Sequence, residues 1–442
     1  MFTSLTGFRD FYPNDCAIKN YIFNIWRKIA HQYGFHEYDA PILEPLDLFT
    51  YKSGTEIIGQ LFNFQDRGGR FVALRPEITP SLARLVGARA SSLKKPIKWY
   101  SIGNHFRFER PQKGRLRSFY QLNLDILGEP TLAADVEIIA QAIHTMKAFG
   151  LTKKDFFLQL SDRMLWIYCL KGLKVKAIDY NSVLSIVDKM KREDRSKSIK
   201  KLNVYLGHNL NYFITIVDKL LTANTIEAIE NLMNDFFKIL PESEQKLLTN
   251  RINEWKYILY YLKVMKLSDY VAINLGIVRG LSYYSGFVFE IFESSGKSRA
   301  IAGGGRYDHL VKKIGGVEMP AVGYAMGDVV LKNILEKKEL LPEYFNSSDV
   351  FIIFKGSEEK CIALNDIAKL RNSGINVVYS FKNISVKKQI KQAYQENAKI
   401  VIFYDFQQFS YEKIKIKNFT KNTEYLIFRK NILEIVRKEI VK

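Results

Sequence analysis

The chain has 442 residues, of which 47% are hydrophobic and 25% are charged, as in an ordinary globular protein of two or three domains. No apolar run reaches the length that crosses a membrane, which excludes a helical membrane protein. The formal net charge is +20. Such an excess favours a polyanionic partner, and the open alternative is a lysine-rich amino-acid usage without a functional cause.

The three cysteines, Cys16, Cys169 and Cys361, are far apart and match neither a disulfide nor a metal-site spacing, which favours a reducing compartment. Residues 1–13 lack the basic and apolar regions of a secretory signal. We therefore expect a cytoplasmic protein that does not associate with membranes.

The first 170 residues are predicted to alternate between helices and strands. Apolar residues recur at helical spacing between Ile18 and Ile29, which indicates an N-terminal helix. Further along, Gly150 is expected to end a second helix. The strand-like runs are residues 61–64, 71–74, 98–108, 119–128 and 151–161, and the second helix is residues 132–149.

Residues 171–265 differ in composition from the segments on either side. They are rich in Lys, Asn and Leu, have helical periodicity and lack glycine-rich signatures. We interpret them as a helical insertion, and the alternative is an integral part of the core. Strand-like sequence resumes at residues 270–276, 278–292 and 299–305.

After a short linker, the C-terminal segment alternates apolar strand-like runs (DVFIIF, INVVYS and KIVIFYD) with helical ones at residues 359–372 and 386–395. This alternation predicts a compact α/β domain with a largely parallel sheet. Residues 347–442 contain 18 Lys/Arg and 10 Asp/Glu, a net charge of +8, which is consistent with a surface that faces nucleic acid.

The segment FRFERPQKGRLRSFYQLNLD, residues 106–125, contains four arginines and one lysine around a Pro-Gln-Lys-Gly turn. Arginine suits polyphosphate recognition because its planar guanidinium binds phosphate through two bonds and keeps its charge. A following strand with inward Gln121 and Asp125 would join a phosphate site to a small polar pocket. The alternative is a solvated basic hairpin on the surface.

This segment resembles motif 2 of the class II aminoacyl-tRNA synthetases, in the form found in histidyl-tRNA synthetases. The resemblance extends over nearly the whole chain, because six further signatures of that family occur in the expected order. They are GFRDFYP at 7–13, YDAPILEP at 38–45, LRPEITPSLAR at 74–84, VRGLSYYSGFVFE at 278–290, AGGGRYD at 302–308 and MPAVGYAMG at 319–327. The last three narrow the resemblance to the histidine branch or its close paralogues.

The resemblance implies an α/β fold with an α+β catalytic domain, built on an antiparallel sheet with flanking helices. The implied boundaries are 1–170 and 266–341 for the catalytic core, 171–265 for the helical insertion and 347–442 for an α/β anticodon-binding domain. In the family, the N-terminal helix and the strand that follows it form the contact of a homodimer.

The resemblance also implies a reaction. A histidine carboxylate attacks the α-phosphorus of ATP, with Mg²⁺ as the usual metal, and yields histidyl-adenylate and pyrophosphate. The 3′-terminal hydroxyl of tRNA(His) then takes the acyl group. Such a displacement depends on positioning and charge stabilisation more than on covalent chemistry of the protein.

Four residues match the family's ATP site. Arg107 matches the motif 2 arginine that binds the α-phosphate, Glu109 the acid at the adenine end, and Arg115 a loop cation on the distal phosphates. Arg279 matches an arginine that reaches both the α-phosphate and the histidine carboxylate. Arg107 and Arg279 are therefore the expected catalytic residues.

A second set matches the histidine site. Glu77, Thr79 and Gln121 match the groups that hold the α-ammonium, while Asp125 and Tyr284 match those on either side of the imidazole. A carboxylate and a phenol in these places would favour a ring with two hydrogen-bonding nitrogens.

Two more tyrosines, Tyr283 and Tyr307, are expected beside the histidine. Tyr307 follows the Gly303-Gly304-Gly305 triplet. Because glycine has no Cβ, this triplet is expected to let the backbone pass close to the ligand.

The chain departs from the family pattern at three positions. Asp125 stands where the family usually has Glu, and Ser282 where it has Asp. In motif 3, Gly327 is normally followed by x-Glu-Arg, and the arginine binds the γ-phosphate; here Val330 occupies its place.

The missing motif 3 arginine leaves alternatives open. Arg306, Arg115 and Arg110 are the residues proposed to replace it, or the chain functions without this contact. A rival function is that of a catalytically inactive, histidine-binding regulatory subunit of ATP phosphoribosyltransferase. Those paralogues typically lack the anticodon-binding domain.

Overall fold

The computed structural model describes residues 2–53, 55–190, 194–277, 284–295, 299–343 and 347–440. They divide into two compact units, Met1–Leu341 and Pro342–Lys442. Each unit has its own hydrophobic core.

The strands of the first unit follow in chain order. They are β1 (His36–Glu37), β2 (Leu43–Pro45), β3 (Asn63–Gln65), β4 (Phe71–Leu74), β5 (Ile97–Phe106), β6 (Ser118–Leu127), β7 (Phe156–Asp162), β8 (Val271–Ile273), β9 (Phe287–Glu293), β10 (Ala302–Arg306) and β11 (Ala321–Gly327).

The α-helices of the first unit lie between and around these strands. They are α1 (Pro13–Gln32), α2 (Leu46–Ser53), α3 (Thr79–Ala88), α4 (Leu132–Ala148), α5 (Arg163–Gly172), α6 (Tyr180–Lys189), α7 (Arg195–Leu206), α8 (Leu210–Thr222), α9 (Ile226–Phe237), α10 (Glu242–Val264), α11 (Leu310–Gly315) and α12 (Asp328–Lys337).

The main sheet has eight strands within the described residues, in the order β1-β5-β6-β11-β10-β9-β7-β8. Its neighbours from β5 to β7 pair in antiparallel fashion, and only the edge pairs β1–β5 and β7–β8 are parallel. A smaller antiparallel sheet in the described chain has the order β2-β4-β3. The sheet is therefore antiparallel-rich, as predicted.

The core forms on one face of this sheet because the central strands alternate in polarity. In β6, Leu122, Leu124 and Ile126 are buried against the core that also contains α4. Each fully buried leucine or isoleucine contributes roughly 1.5–3 kcal/mol. The other face of β6 carries polar residues, since successive side chains of a strand point to opposite faces.

The helices α5 to α10 follow β7 and return the chain to β8. A buried ion pair fixes this segment to the sheet: Arg251 donates two hydrogen bonds, of 2.7 and 2.8 Å, to the carboxylate of Asp162. The indole of Trp255 donates a third, of 2.8 Å. These helices belong to the same compact unit as the sheet, and the division of that unit at residues 170 and 265 stays a prediction.

The second unit contains a sheet with the order β13-β12-β14-β15-β16 in its described part. Its strands are β12 (Val350–Phe354), β13 (Val377–Tyr379), β14 (Ile400–Tyr404), β15 (Lys413–Asn418) and β16 (Thr423–Phe428). Its helices are α13 (Ser357–Asn372), α14 (Val386–Gln395), α15 (Phe406–Phe409) and α16 (Ile432–Ile440).

The expectation of a largely parallel sheet is correct for β12, β13 and β14 only. β14–β15 and β15–β16 pair in antiparallel fashion. The missed hairpin has a signal in the sequence KIKIKN, where Ile414 and Ile416 are buried and the intervening Lys415 is not. None of the helices that the structure describes has the length and apolar character that crossing a membrane requires.

Candidate active site

The candidate site lies on the polar face of the main sheet. On β6, Gln121, Asn123 and Asp125 alternate with the buried leucines and point away from the core. The neighbouring strands present small residues on this face. Gly323 lies opposite Asp125, and Ala325 lies opposite Asn123. The strands therefore form an open floor with polar side chains along one edge.

A first cavity, of about 410 Å³, lies over this floor. All the described residues that the resemblance assigns to histidine line this cavity: Glu77, Thr79, Gln121, Asp125, Tyr284 and Tyr307. The structure thus brings together residues that are up to 230 positions apart in the sequence. Arg279 and Tyr283 lie outside the described residues.

Asp125 and Tyr307 are buried residues in the wall of the first cavity. Each has an exposed fraction of 3%, and the Tyr307 hydroxyl donates a hydrogen bond to the Asp125 carboxylate. A Cβ at Gly323 would lie 2.0 Å from Asp125 Oδ1. Only glycine therefore fits opposite this carboxylate.

Asn123 is a member of the site that the sequence analysis missed. Its Oδ1 and the Oε1 of Gln121 are buried, and neither has a hydrogen-bond partner among the described residues. Burying such a group without a partner typically costs about 1–3 kcal/mol, so both amides are suited to a polar ligand. The signal was the strand periodicity, because Asn123 lies between two predicted site residues on the same face.

A short 3-10 helix beside the first cavity, Thr55–Gln60, was also missed. Ile57, Gln60 and Leu61 line the cavity from the segment before β3. No motif marks them, because their position depends on the packing of the small sheet.

A second cavity, of about 720 Å³, adjoins the first. The lining residues that the two cavities share are Arg107, Glu109, Gln121, Gly303 and Ala325. Arg115 and the unpredicted Glu290 and Arg299 line only the second cavity. A ligand in one cavity would therefore meet a ligand in the other beside Arg107 and Gln121.

The side chain of Arg107 is fixed by its neighbours. Its Nε donates a hydrogen bond of 3.1 Å to the Pro76 carbonyl, and its guanidinium lies 5.1 Å from the ring centre of Phe119. A cation held in this way needs little reorganisation when a charged ligand binds.

Arg115 and Glu109 form an ion pair on the wall of the second cavity. The turn that carries Arg115 is closed by two backbone hydrogen bonds with Gln112, of 3.0 and 2.8 Å. Gly114 in this turn has a φ of +76°, a conformation that glycine adopts without strain. The predicted cationic turn is present.

Arg306 is not part of either cavity, and the idea that it replaces the motif 3 arginine is wrong. Its guanidinium is buried against Asp135 of α4 and also donates a hydrogen bond of 3.0 Å to the Thr131 carbonyl. Arg110 is exposed and lines neither cavity. Of the proposed replacements, only Arg115 faces the second cavity.

In the triplet Gly303-Gly304-Gly305, two of the three glycines allow close packing of strands and line neither cavity. Gly303 lines both cavities. In contrast, a Cβ at Gly304 would lie 2.3 Å from the Gly323 carbonyl, and one at Gly305 would lie 2.5 Å from the Phe287 carbonyl. The expectation of close approach to a ligand therefore fits Gly303 alone, and the other two glycines allow adjacent strands to pack.

His105 lies opposite Phe119, which lines the second cavity. It is fully buried, its Nδ1 lies 3.0 Å from the Gly103 carbonyl, and it stacks on Phe119. Burial lowers the pKa of His105 well below its ordinary value, and the charges of Arg75 and Arg107 lower the pKa further. The native state therefore keeps this imidazole neutral.

This neutral histidine predicts a loss of stability in acid. Below pH ~6.5 the unfolded chain protonates His105 and the native chain does not, so stability falls by up to about 1.4 kcal/mol per pH unit from this group. The variant His105→Asn retains a donor for Gly103 and should show a smaller slope. Urea unfolding of both proteins between pH 5 and pH 7.5 measures the difference, and equal slopes would contradict the assignment.

Comparisons with known proteins show the family of the chain. The family model described as "Histidyl-tRNA synthetase" matches residues 7–329, and the model described as "Anticodon binding domain" matches residues 349–439. A histidine–tRNA ligase of Opitutus terrae is 43% identical over 442 residues, which cover 99% of this chain and 98% of the relative.

Two solved structures share the fold. The crystal structure of histidyl-tRNA synthetase from Nostoc sp. PCC 7120 has a TM-score of 0.77 at 22% identity and covers 99% of each chain. An ATP phosphoribosyltransferase regulatory subunit/histidyl-tRNA synthetase from Bacillus halodurans C has a TM-score of 0.71 at 23% identity, covering 91% of this chain and 98% of that one. With the family model matching most of its length and the Opitutus relative nearly all of it, the chain belongs to the histidyl-tRNA synthetase family.

Proposed function

We propose that the chain activates histidine with ATP and transfers the histidyl group to the 3′ end of tRNA(His). The chain is an aminoacyl-tRNA ligase. The observation that supports the detailed proposal is the pair of adjoining cavities that meet at Arg107 and Gln121. The first cavity has the size and polar lining for an amino acid, and the second has arginines for a triphosphate.

Histidine occupies the first cavity. Glu77, Thr79 and Gln121 receive its α-ammonium, while Asp125 and Tyr284 hold the ring nitrogens. The Tyr307 hydroxyl orients the Asp125 carboxylate through their hydrogen bond. This arrangement directs the substrate carboxylate towards the second cavity.

ATP occupies the second cavity with its α-phosphate beside Arg107. A carboxylate oxygen of histidine attacks the α-phosphorus, and the bond to the leaving pyrophosphate breaks. Arg107, together with Arg279 by the family resemblance, stabilises the negative charge of the pentacoordinate phosphorus. Glu109 faces the adenine end, and Arg115 the distal phosphates. The tRNA hydroxyl then attacks the acyl carbon, and AMP leaves.

Mg²⁺ accompanies ATP in this proposal. Protein-bound Mg²⁺ retains waters and uses one or two carboxylates together with substrate phosphates. Among the described residues, no group of three or more His, Cys, Asp or Glu side chains could hold a metal, whereas Glu290 lines the second cavity. The single carboxylate of Glu290 fits an ion that arrives with the phosphates. Glu290 would hold it, and the ion would neutralise phosphate charge.

We also propose that the chain works as a cytoplasmic homodimer. The small sheet and its flank expose apolar side chains that suit a contact between two copies: Ile42, Leu43, Phe64 and Phe71. Sedimentation velocity at micromolar concentration measures the oligomeric state.

The direct test of the function is histidine-dependent exchange of pyrophosphate into ATP. We expect exchange with histidine and with no other amino acid. Histidine binding without any exchange would favour the regulatory-subunit alternative, which the comparisons do not favour.

Removal of the second unit separates activation from transfer. A chain that ends at Leu341 retains all the residues assigned to histidine and ATP, so we expect its exchange activity to stay within about twofold. Its aminoacylation should fall by at least about tenfold, because a tethered second binding surface raises the effective affinity for tRNA. The net charge of +8 should also make tRNA binding by the intact chain more sensitive to salt.

Both activities are measured on truncated protein that is shown to be folded and to have the oligomeric state of the full chain. Equal aminoacylation by the two forms would contradict tRNA binding by the second unit.

A further inference from the structure

The second cavity contains an arginine that no family signature assigns. Among the described residues, the basic side chains that line the second cavity are Arg107, Arg115 and Arg299. Arg107 also lines the first cavity, whereas Arg299 lines the second alone. Val330, at the place of the motif 3 arginine, lines the same cavity as Arg299.

The strand register places Arg299 and Val330 at one edge of the sheet. β10 and β11 are antiparallel, with Ala302 opposite Met326. The pairing continues outwards through a hydrogen bond of 3.3 Å from Gly327 N to the Ile301 carbonyl. Arg299 lies two residues before Ile301, and Val330 lies three residues after Gly327, so both emerge where the strand pair ends.

The motif 2 turn confirms that the two side chains are close. A Cβ built on Gly114 would lie 3.4 Å from Val330 Cγ2 and 3.8 Å from Arg299 Cδ. The turn, Val330 and Arg299 therefore surround the same end of the second cavity. Valine is short enough to leave this space to a longer side chain from the segment before β10.

We infer that Arg299 binds the distal phosphates of ATP in the place where the family uses the motif 3 arginine. The inference rests on the proposed function, in which the α-phosphate lies where the two cavities meet. A cation that lines the second cavity alone is farther from that junction. A guanidinium suits a phosphate better than it suits the neutral adenine. In this inference the cation comes from the segment just before β10 instead of from α12.

The test compares ATP with AMP, which lacks the distal phosphates. For Arg299→Ala we expect the Kd of ATP, measured by calorimetry without histidine, to rise on the order of 10- to 100-fold, as expected for a lost bond to a charged group. The Kd of AMP should stay unchanged. Arg299→Lys should recover part of the ATP affinity, because it keeps the charge but loses the bidentate geometry.

Arg195→Ala is the matched control, because this exposed arginine of α7 pairs with Asp218 of α8 and neither residue lines the cavity. It should leave both dissociation constants unchanged. Unaltered ATP binding by Arg299→Ala would overturn the inference, and so would an equal loss of ATP and AMP binding. Failure of the proposed function is a separate result, because it would appear as a wild-type chain without histidine-dependent exchange.

Discussion

Replacement of Arg107 by alanine is expected to lower kcat/KM for histidine-dependent pyrophosphate exchange by about 10²–10³, as for the loss of one preorganised donor. Arg107 lines both cavities, so in the proposed mechanism its charge lies where the carboxylate and the α-phosphate meet. The loss should fall mainly on kcat, since negative charge at phosphorus is greatest in the transition state.

The variant Arg110→Ala is the control for this experiment. Arg110 lies on the same basic segment but is exposed and lines neither cavity, so exchange should change by less than about twofold, as for most surface substitutions. Arg107→Lys should retain only part of the rate, because lysine cannot reproduce a bidentate contact. Wild-type exchange by Arg107→Ala would remove this residue from the proposed mechanism.

Local sequence patterns predicted much of the fold because they act over short distances. The helix expected at 132–149 is α4 (Leu132–Ala148), and Gly150 ends it with a φ of +86°. The antiparallel-rich sheet with flanking helices is confirmed, and so is membership of the family. The β15–β16 hairpin was missed although its alternation was visible, since the apolar strand runs before it suggested a parallel sheet.

The site could be predicted where it follows strand periodicity or a family signature. Gln121, Asn123 and Asp125 share a face of β6 because every second side chain of a strand points to the same side of the sheet. Arg306 could not be placed in this way, because its partner Asp135 is 171 positions away and only the packing of α4 on the sheet brings them together. Arg299 has no signature, and its proposed role becomes visible only because the segment just before β10 lies beside Val330 in the fold.

The variant Asp125→Asn is expected to weaken the use of histidine by about 2–5 kcal/mol in kcat/KM, which is roughly 30- to several-thousand-fold, as for the loss of a buried charged partner. Asparagine has nearly the volume of aspartate and can still accept the hydrogen bond from Tyr307, so the cavity should keep its shape. The substitution removes the negative charge of a buried side chain, whose exposed fraction is 3%.

This change should also narrow the preference for histidine over phenylalanine. In the wild type a phenyl ring would give the buried carboxylate no hydrogen-bond donor from the ligand, and such sites reject the wrong ligand by about 10⁴-fold or more. With asparagine that penalty is smaller, so the ratio of kcat/KM for the two amino acids should fall because the value for histidine falls and that for phenylalanine does not. Exchange assays with both amino acids measure the ratio, and Asp235→Asn on the exposed surface of α9 serves as the control. If Asp125→Asn lowered kcat/KM for both amino acids by the same factor, Asp125 would support the cavity without distinguishing the imidazole from a phenyl ring. Histidine specificity would then have to come from Tyr284 and the amides of β6.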